Sequence, residues 1–281
     1  MAAVGFGALA AVLWGLSALT SVKQVRALGA WGSLVWMIGL GLLLAVPAAA
    51  VVGPPHASVS AWGYAAASGV GYVTACAFWF LAVRRARVSL LTPIVSTDGA
   101  VAAVISIAAF GETLHAGVAA ALVVVVAGIV LASLRPEPGQ HGGLGLAGVL
   151  LALGAAASFG FSFVAGAHAA QVGTAWTLLL SRIAAIAILL PPMLVLGRVT
   201  VPRRAVLIYP LVVAATDIGG YAAYLQGATS SIAVASVLAS QYAVVAVVGG
   251  IFVYRERLSL LQGVGVAVTL AGVGALALLR V

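Results

Sequence analysis

Gly111-Glu112-Thr113-Leu114 returns 144 residues later as Arg255-Glu256-Arg257-Leu258, and each tetrapeptide follows one apolar run and precedes another. The same offset carries Ser96 onto Ser240 and Gly128 onto Gly272 without a gap. Earlier in the chain the offset becomes 145. It then maps Trp31 onto Trp176, Pro47 onto Pro192, and Trp14-Gly15-Leu16-Ser17 onto Phe159-Gly160-Phe161-Ser162. One such match arises readily by chance in Ala- and Gly-rich sequence, but a coherent series marks a duplication. Between the copies lies Arg135-Pro136-Glu137-Pro138-Gly139-Gln140-His141-Gly142-Gly143, the longest polar, Pro- and Gly-rich stretch. The reading divides the chain into a first unit at 1–137, a linker at 138–143 and a second unit at 144–281.

The medium that surrounds these units follows from composition. Hydrophobic residues fill 64% of 281 positions and charged ones only 6%. A soluble domain must show part of its side chains to water and has no means of hiding so much apolar surface. Lipid removes that constraint, and runs of about 20 apolar residues are what a spanning helix needs. Ten such segments are legible, ending within two to four residues of the stated positions. They are Ala2 to Ser21, Trp31 to Val52, Trp62 to Val83, Leu90 to Phe110, Gly117 to Leu134, Leu144 to Ala167, Thr174 to Leu196, Val206 to Gly227, Ile232 to Val253 and Leu260 to Leu279. The expected fold class is an all-α integral membrane protein of ten transmembrane helices in two five-helix repeats. An odd number of spans per copy makes the copies enter the membrane in opposite senses, the inverted-repeat plan of many secondary transporters.

The net charge of +8 suits membrane orientation better than nucleic-acid binding, because the 13 Lys and Arg form short clusters rather than a basic face. Loops on one side hold eleven of them: Lys23, Arg26, Arg84, Arg85, Arg87, Arg135, Arg198, Arg203, Arg204, Arg255 and Arg257. The other side holds Arg280 alone, and Arg182 falls inside a segment. The positive-inside rule then places the eleven in the cytoplasm of a plasma or inner membrane and both termini outside. No basic residue precedes the first apolar run, so that run does not read as a cleaved signal peptide. The sole cysteine, Cys76, excludes an intramolecular disulfide and a Cys-based metal site.

At this level the chain resembles the EamA-type transporters of the drug/metabolite transporter superfamily. The resemblance is carried by Gly220-Tyr221-Ala222-Ala223-Tyr224, Ser231-Ile232-Ala233-Val234-Ala235-Ser236, Glu256-Arg257-Leu258, Gln262-Gly263 and Ala271-Gly272-Val273. Leu91-Thr92-Pro93, Gly111-Glu112-Thr113-Leu114 and Ala127-Gly128 echo that order in the first half. The resemblance implies ten helices, inverted repeats and export or exchange of small organic solutes. Two positions depart from the pattern: Val237 stands where proline is common, and Met37 where an arginine is often seen, while Arg182 keeps that arginine in the second half.

Candidate functional residues stand out because charge is costly in lipid. Asp98 and Asp217 both lie within apolar segments, and a carboxylate at the bilayer centre costs about 2.5–3.5 kcal/mol on insertion scales. Each is read as a proton-coupling candidate; the plainer alternative is a structural ion pair with Arg182, itself read as structural or gating. Asp217, Tyr221 and Tyr224 fall at i, i+4 and i+7, as do Tyr72, Cys76 and Trp79 on the segment that the repeat relates to theirs. The expected substrate-binding set is Trp14, Ser17, Tyr72, Trp79, Asp98, Phe159, Ser162, Tyr221, Tyr224, Gln241 and Tyr242, Tyr242 being the repeat counterpart of Asp98. An aromatic cavity with one or two carboxylates suits an organic cation or a zwitterion. The bland reading of the same rings is packing between helices. Glu112 and Glu256, at segment boundaries, are read as structural or gating, since the following helix start favours a carboxylate there. Trp31, Trp62 and Tyr209 read as interface anchors.

Other classes fare worse. No nucleophile–base set, metal-ligand spacing or P-loop is present in the sequence, so the expectation is a non-enzymatic protein without cofactor or metal. The reading that remains is a secondary transporter working by alternating access, an exporter or exchanger with proton coupling as one option. A passive channel or facilitator and a non-transporting scaffold are the alternatives. The expected partners are a small-molecule substrate and the bilayer, with monomer and homodimer both open.

Overall fold

The computed structural model describes residues 2–85, 91, 94–111, 116–133, 145–254 and 260–278. Every regular element among them is a helix: α1 (Ala2–Val52), α2 (Val59–Val83), α3 (Asp98–Phe110), α4 (Ala116–Ser133), α5 (Gly145–His168), α6 (Thr174–Val195), α7 (Ile208–Ala228), α8 (Ile232–Ala239), α9 (Tyr242–Tyr254) and α10 (Leu260–Leu278). Lipid explains the choice. An α-helix satisfies its backbone donors and acceptors within one segment, where no water is present to do so. Large apolar side chains such as Leu43, Leu150, Ile188 and Leu194 point outward from these helices, as a lipid-facing surface requires. Five stretches are long and apolar enough to cross a membrane: Ala2–Val52, Val59–Val83, Leu146–His168, Thr174–Val195 and Arg204–Ala228. Asp98–Phe110, Ala119–Gly128 and Ile232–Ala246 are shorter apolar helices.

The first of these stretches covers two of the apolar segments. At 51 residues α1 would run about 76 Å if straight, over twice the hydrocarbon thickness of about 30 Å. Gly29 breaks it with φ 70° and ψ 174°, backbone that only glycine adopts without strain. Gln24 Nε2 donates to Ser33 O at 3.1 Å across this point, so the chain folds back on itself. In a continuous helix those nine residues would separate the two levels by about 13 Å.

Elsewhere, single runs are interrupted. The segment read as Leu90 to Phe110 has a turn at 96–97, and the segment read as Ile232 to Val253 has one at 240–241. Thr97 N–H donates to Ile94 O at 3.2 Å, and Gln241 N–H to Leu238 O at 3.0 Å, both i→i+3 bonds in place of i→i+4. Side chains compete for the freed carbonyls: Thr97 Oγ1 donates to Ile94 O at 2.7 Å and Gln241 Nε2 to Val237 O at 3.0 Å. Thr97 and Gln241 are 144 positions apart, so both breaks fall at the same place in the repeat. The second forms with valine, not proline, at 237.

Packing runs mainly between the two halves of the chain. α1 lies against α7, α2 against α5 and α4 against α10; α3 crosses α5 and α8, and α6 rests on α1 and α2. At one end of the bundle Lys23 sits 5.9 Å from the Tyr209 ring and Trp36 Nε1 donates to Thr200 O at 2.6 Å. At the other end Ser58 Oγ donates to Gln171 Oε1 at 3.0 Å, Gln226 Nε2 to Thr174 Oγ1 at 2.7 Å, and Trp176 Nε1 to Gly53 O. Glu112 and Glu256 lie outside the described residues.

Candidate functional site

Between the broken helices and the first arm of α1 lies a cavity. Trp14, Ser17, Ala18, Ser21 and Met37 of α1 line it, with Tyr72, Cys76, Trp79 and Phe80 of α2 and Asp98 of α3. Phe159 and Phe163 of α5, Val213, Asp217 and Tyr221 of α7, and Tyr242 of α9 close it. It measures about 80 Å³, room for a few waters, since one water needs about 10–15 Å³.

Aromatic rings form and back much of the wall. Trp14 stacks on Phe163 at 5.3 Å with a 7° tilt, Phe163 meets Tyr224 at 4.7 Å, and Tyr221 stacks on Tyr224 at 6.1 Å and on Tyr72 at 6.4 Å. Their order follows from spacing: residues at i, i+4 and i+7 share a helix face, so α7 turns Asp217, Tyr221 and Tyr224 together toward α2 and α5.

The two carboxylates stand in different surroundings. Asp217 Oδ2 accepts from Arg182 Nη2 at 2.7 Å in a buried ion pair. The Arg182 guanidinium lies 4.0 Å from the Tyr72 ring centre and 5.8 Å from that of Tyr221. Its Nε and Nη1 have no hydrogen-bond partner among the described residues, so ring faces supply what hydrogen bonds do not. Asp98 opens α3, fully buried. Its Oδ1 accepts from the Gly99 N–H at 2.7 Å and from the Ser240 hydroxyl. No described cation pairs with it. Its partners are therefore dipoles: a hydroxyl and the start of a helix.

The family model of the EamA-like transporter family matches residues 1–134 and again 146–278. The chain belongs to the EamA-like transporter family. That family lies within the drug/metabolite transporter superfamily, and the protein is accordingly a multi-pass membrane transporter. A solved crystal structure superposes on this EamA-like transporter with a TM-score of 0.76 at 17% identity, over 99% of this chain and 96% of the other. At that identity the likeness concerns the fold. No curated protein matches the chain.

The cavity of this transporter gathers Trp14, Ser17, Tyr72, Trp79, Asp98, Phe159, Asp217, Tyr221 and Tyr242 from the residues singled out in the sequence. Three others stand behind the wall. Ser162 Oγ donates to Ser68 O at 2.8 Å, Tyr224 Oη to Phe163 O at 2.8 Å, and Gln241 Nε2 to Val237 O. Met37, Phe80 and Val213 line the cavity without having been singled out as binding residues. Apolar residues of ordinary type carry no signal in a chain that is apolar throughout, although the repeat does place Met37 opposite Arg182. Ser240, the repeat match of Ser96, proves to be the partner of Asp98.

Proposed function

We propose that this EamA-like transporter exchanges a small organic cation, or a zwitterion with an ammonium group, for protons at Asp98, in two inverted five-helix repeats of a plasma or inner membrane. The observation that carries the reading is the inequality of the two acids. Asp217 already has a cation in Arg182, whereas Asp98 faces an aromatic cavity with no cation among the described residues. One uncompensated carboxylate in a site walled by Trp and Tyr rings suits either a proton or an ammonium group, and not both together. Competition for that charge is what couples two gradients. The double match of the family model and the repeat-related helix breaks support the two-repeat reading, and interrupted helices at corresponding positions favour a site at that level. The expected orientation has the Lys23, Arg84 and Arg203 end in the cytoplasm.

Counterflow in proteoliposomes tests this. Purified protein is loaded with an unlabelled quaternary ammonium such as choline, and uptake of labelled choline, an aromatic amine, an amino acid and an organic anion is followed. The expected result is trans-stimulated uptake of cationic or zwitterionic probes, and a loss of about tenfold or more in Asp98→Asn, the loss of one charge-assisted contact. Uptake without trans-stimulation would identify a passive facilitator instead. pH-dependent exchange that survives in Asp98→Asn would remove the coupling proposal.

A further inference from the structure

A buried acid that changes charge poses a bonding problem that Asp217 does not have. Ionised, a carboxylate only accepts; protonated, it must also donate, and an unpaired donor in an apolar interior is costly. Asp98 is fully buried on one side against Ser240, whose single hydroxyl proton lies between two acceptors. One is Asp98 Oδ1; the other is Ser236 O, at 2.8 Å. One proton serves only one of them at a time.

We infer that Ser240 is the positioning residue that lets Asp98 exist in both charge states, by reversing the direction of its hydrogen bond. With Asp98 ionised, the Ser240 hydroxyl donates to Oδ1, and Ser236 O retains the Ser240 backbone N–H at 3.0 Å. With Asp98 protonated, its O–H donates to Ser240 Oγ, and the Ser240 hydroxyl turns to Ser236 O. In either state the Ser240 hydroxyl and Ser236 O each keep a partner, and the acid proton, when present, has one too. A hydroxyl is suited to this because it both donates and accepts, which neither a carbonyl nor an ammonium does. Gly99 permits the arrangement: a Cβ there would lie 2.6 Å from Ser236 O and 2.8 Å from Val237 Cα, so a larger residue would push α3 away from α8. The other titratable groups around the cavity are Tyr72 and Cys76 of α2, Asp217 and Tyr221 of α7, and Tyr242 of α9; none makes a described hydrogen bond to Asp98.

The inference rests on the reading of Asp98 as the exchange site, but it is tested without any substrate. Infrared difference spectra are recorded on the full-length protein in liposomes across a pH series, and the carboxylic C=O band of Asp98 is identified by its loss in Asp98→Asn. In the wild type and in Ser240→Thr, which keeps a hydroxyl, the band is expected at the frequency of a hydrogen-bonded carboxylic acid. In Ser240→Ala it is expected to move up to that of an unbonded one, with thermal stability measured alongside to show that the variant is folded. An Asp98 band at the same frequency in Ser240→Ala, or no Asp98 band at any pH, overturns the inference. If Asp98→Asn kept full counterflow while the band shifted as expected, the transport reading would fail and the role of Ser240 would stand.

Discussion

Arg182 and Met37 are repeat counterparts, 145 positions apart, and so are Asp217 and Tyr72. In one half the two positions form the Arg182–Asp217 ion pair; in the other the Tyr72 hydroxyl approaches Met37 Sδ at 3.8 Å. The same packing thus exists in a charged and a nearly apolar edition. Tyr72 belongs to both, since its ring also lies under the Arg182 guanidinium. This argues that the site tolerates the apolar edition but not half of the charged one. Removing one partner of a buried pair leaves an uncompensated charge, at about 3–5 kcal/mol, whereas removing both charges is often near neutral. Arg182→Met is therefore expected to lower the melting temperature in detergent sharply. Adding Asp217→Asn should recover at least half of the loss. If the double variant melts no higher than the single one, the ion pair is not what holds α6 to α7 here.

At the scale of elements, the decisive feature is the crossing of two broken helices. The 144-residue offset was legible from identities such as Ser96 with Ser240, yet both segments read as unbroken because the apolar runs continue through 97 and 241. What breaks them is local competition, Thr97 and Gln241 side chains taking carbonyls from the ladder, and hydropathy does not register that. The reversal between the first two apolar segments was legible from Lys23 and Arg26; that Gly29 alone breaks the helix there was not, since one glycine among many carries no signal. Acids and aromatics, by contrast, announced the cavity well, since each is costly or bulky enough in lipid to need a reason. Ser162, Tyr224 and Gln241 each spend a donor on a backbone carbonyl instead, a distinction that only geometry makes. The crossing itself is testable through Gly99. Its missing Cβ lets α3 meet the Ser236 carbonyl, so Gly99→Ala should force the helices apart by several tenths of an ångström. Overpacking of this kind costs about 1–3 kcal/mol. A thermal-shift assay of purified Gly99→Ala is expected to show that loss, and a wild-type melting curve would mean that the crossing gives way freely.

At the scale of the molecule, the two ends of the bundle are not equivalent. Ser21, Phe80 and Val213 extend the cavity toward the end that carries Lys23, Arg84 and Arg203. Toward the opposite end the stacked rings of Trp14, Phe163, Tyr224 and Tyr221 fill the space, and beyond them Ser58 meets Gln171, Trp176 meets Gly53, and Gln226 meets Thr174. These contacts join residues of the first half to residues of the second, or α6 to α7. If exchange proceeds by alternating access, with the halves rocking about the cavity, that end has to part during every cycle. Ser58 and Gln171 are both exposed, so a reagent reaches them. With Cys76 replaced by alanine, the pair Ser58→Cys and Gln171→Cys is bridged by a short bis-thiol-reactive reagent, and counterflow is measured in proteoliposomes. Bridged protein is expected to lose at least about tenfold in exchange, while either single variant treated alike keeps its rate. The fixed end would still leave a cavity that reaches the cationic side, so binding of the probe from that side should persist. Bridged protein that exchanges as fast as the unbridged form would show that the two repeats do not rock apart at this end, and alternating access by that motion would have to be abandoned.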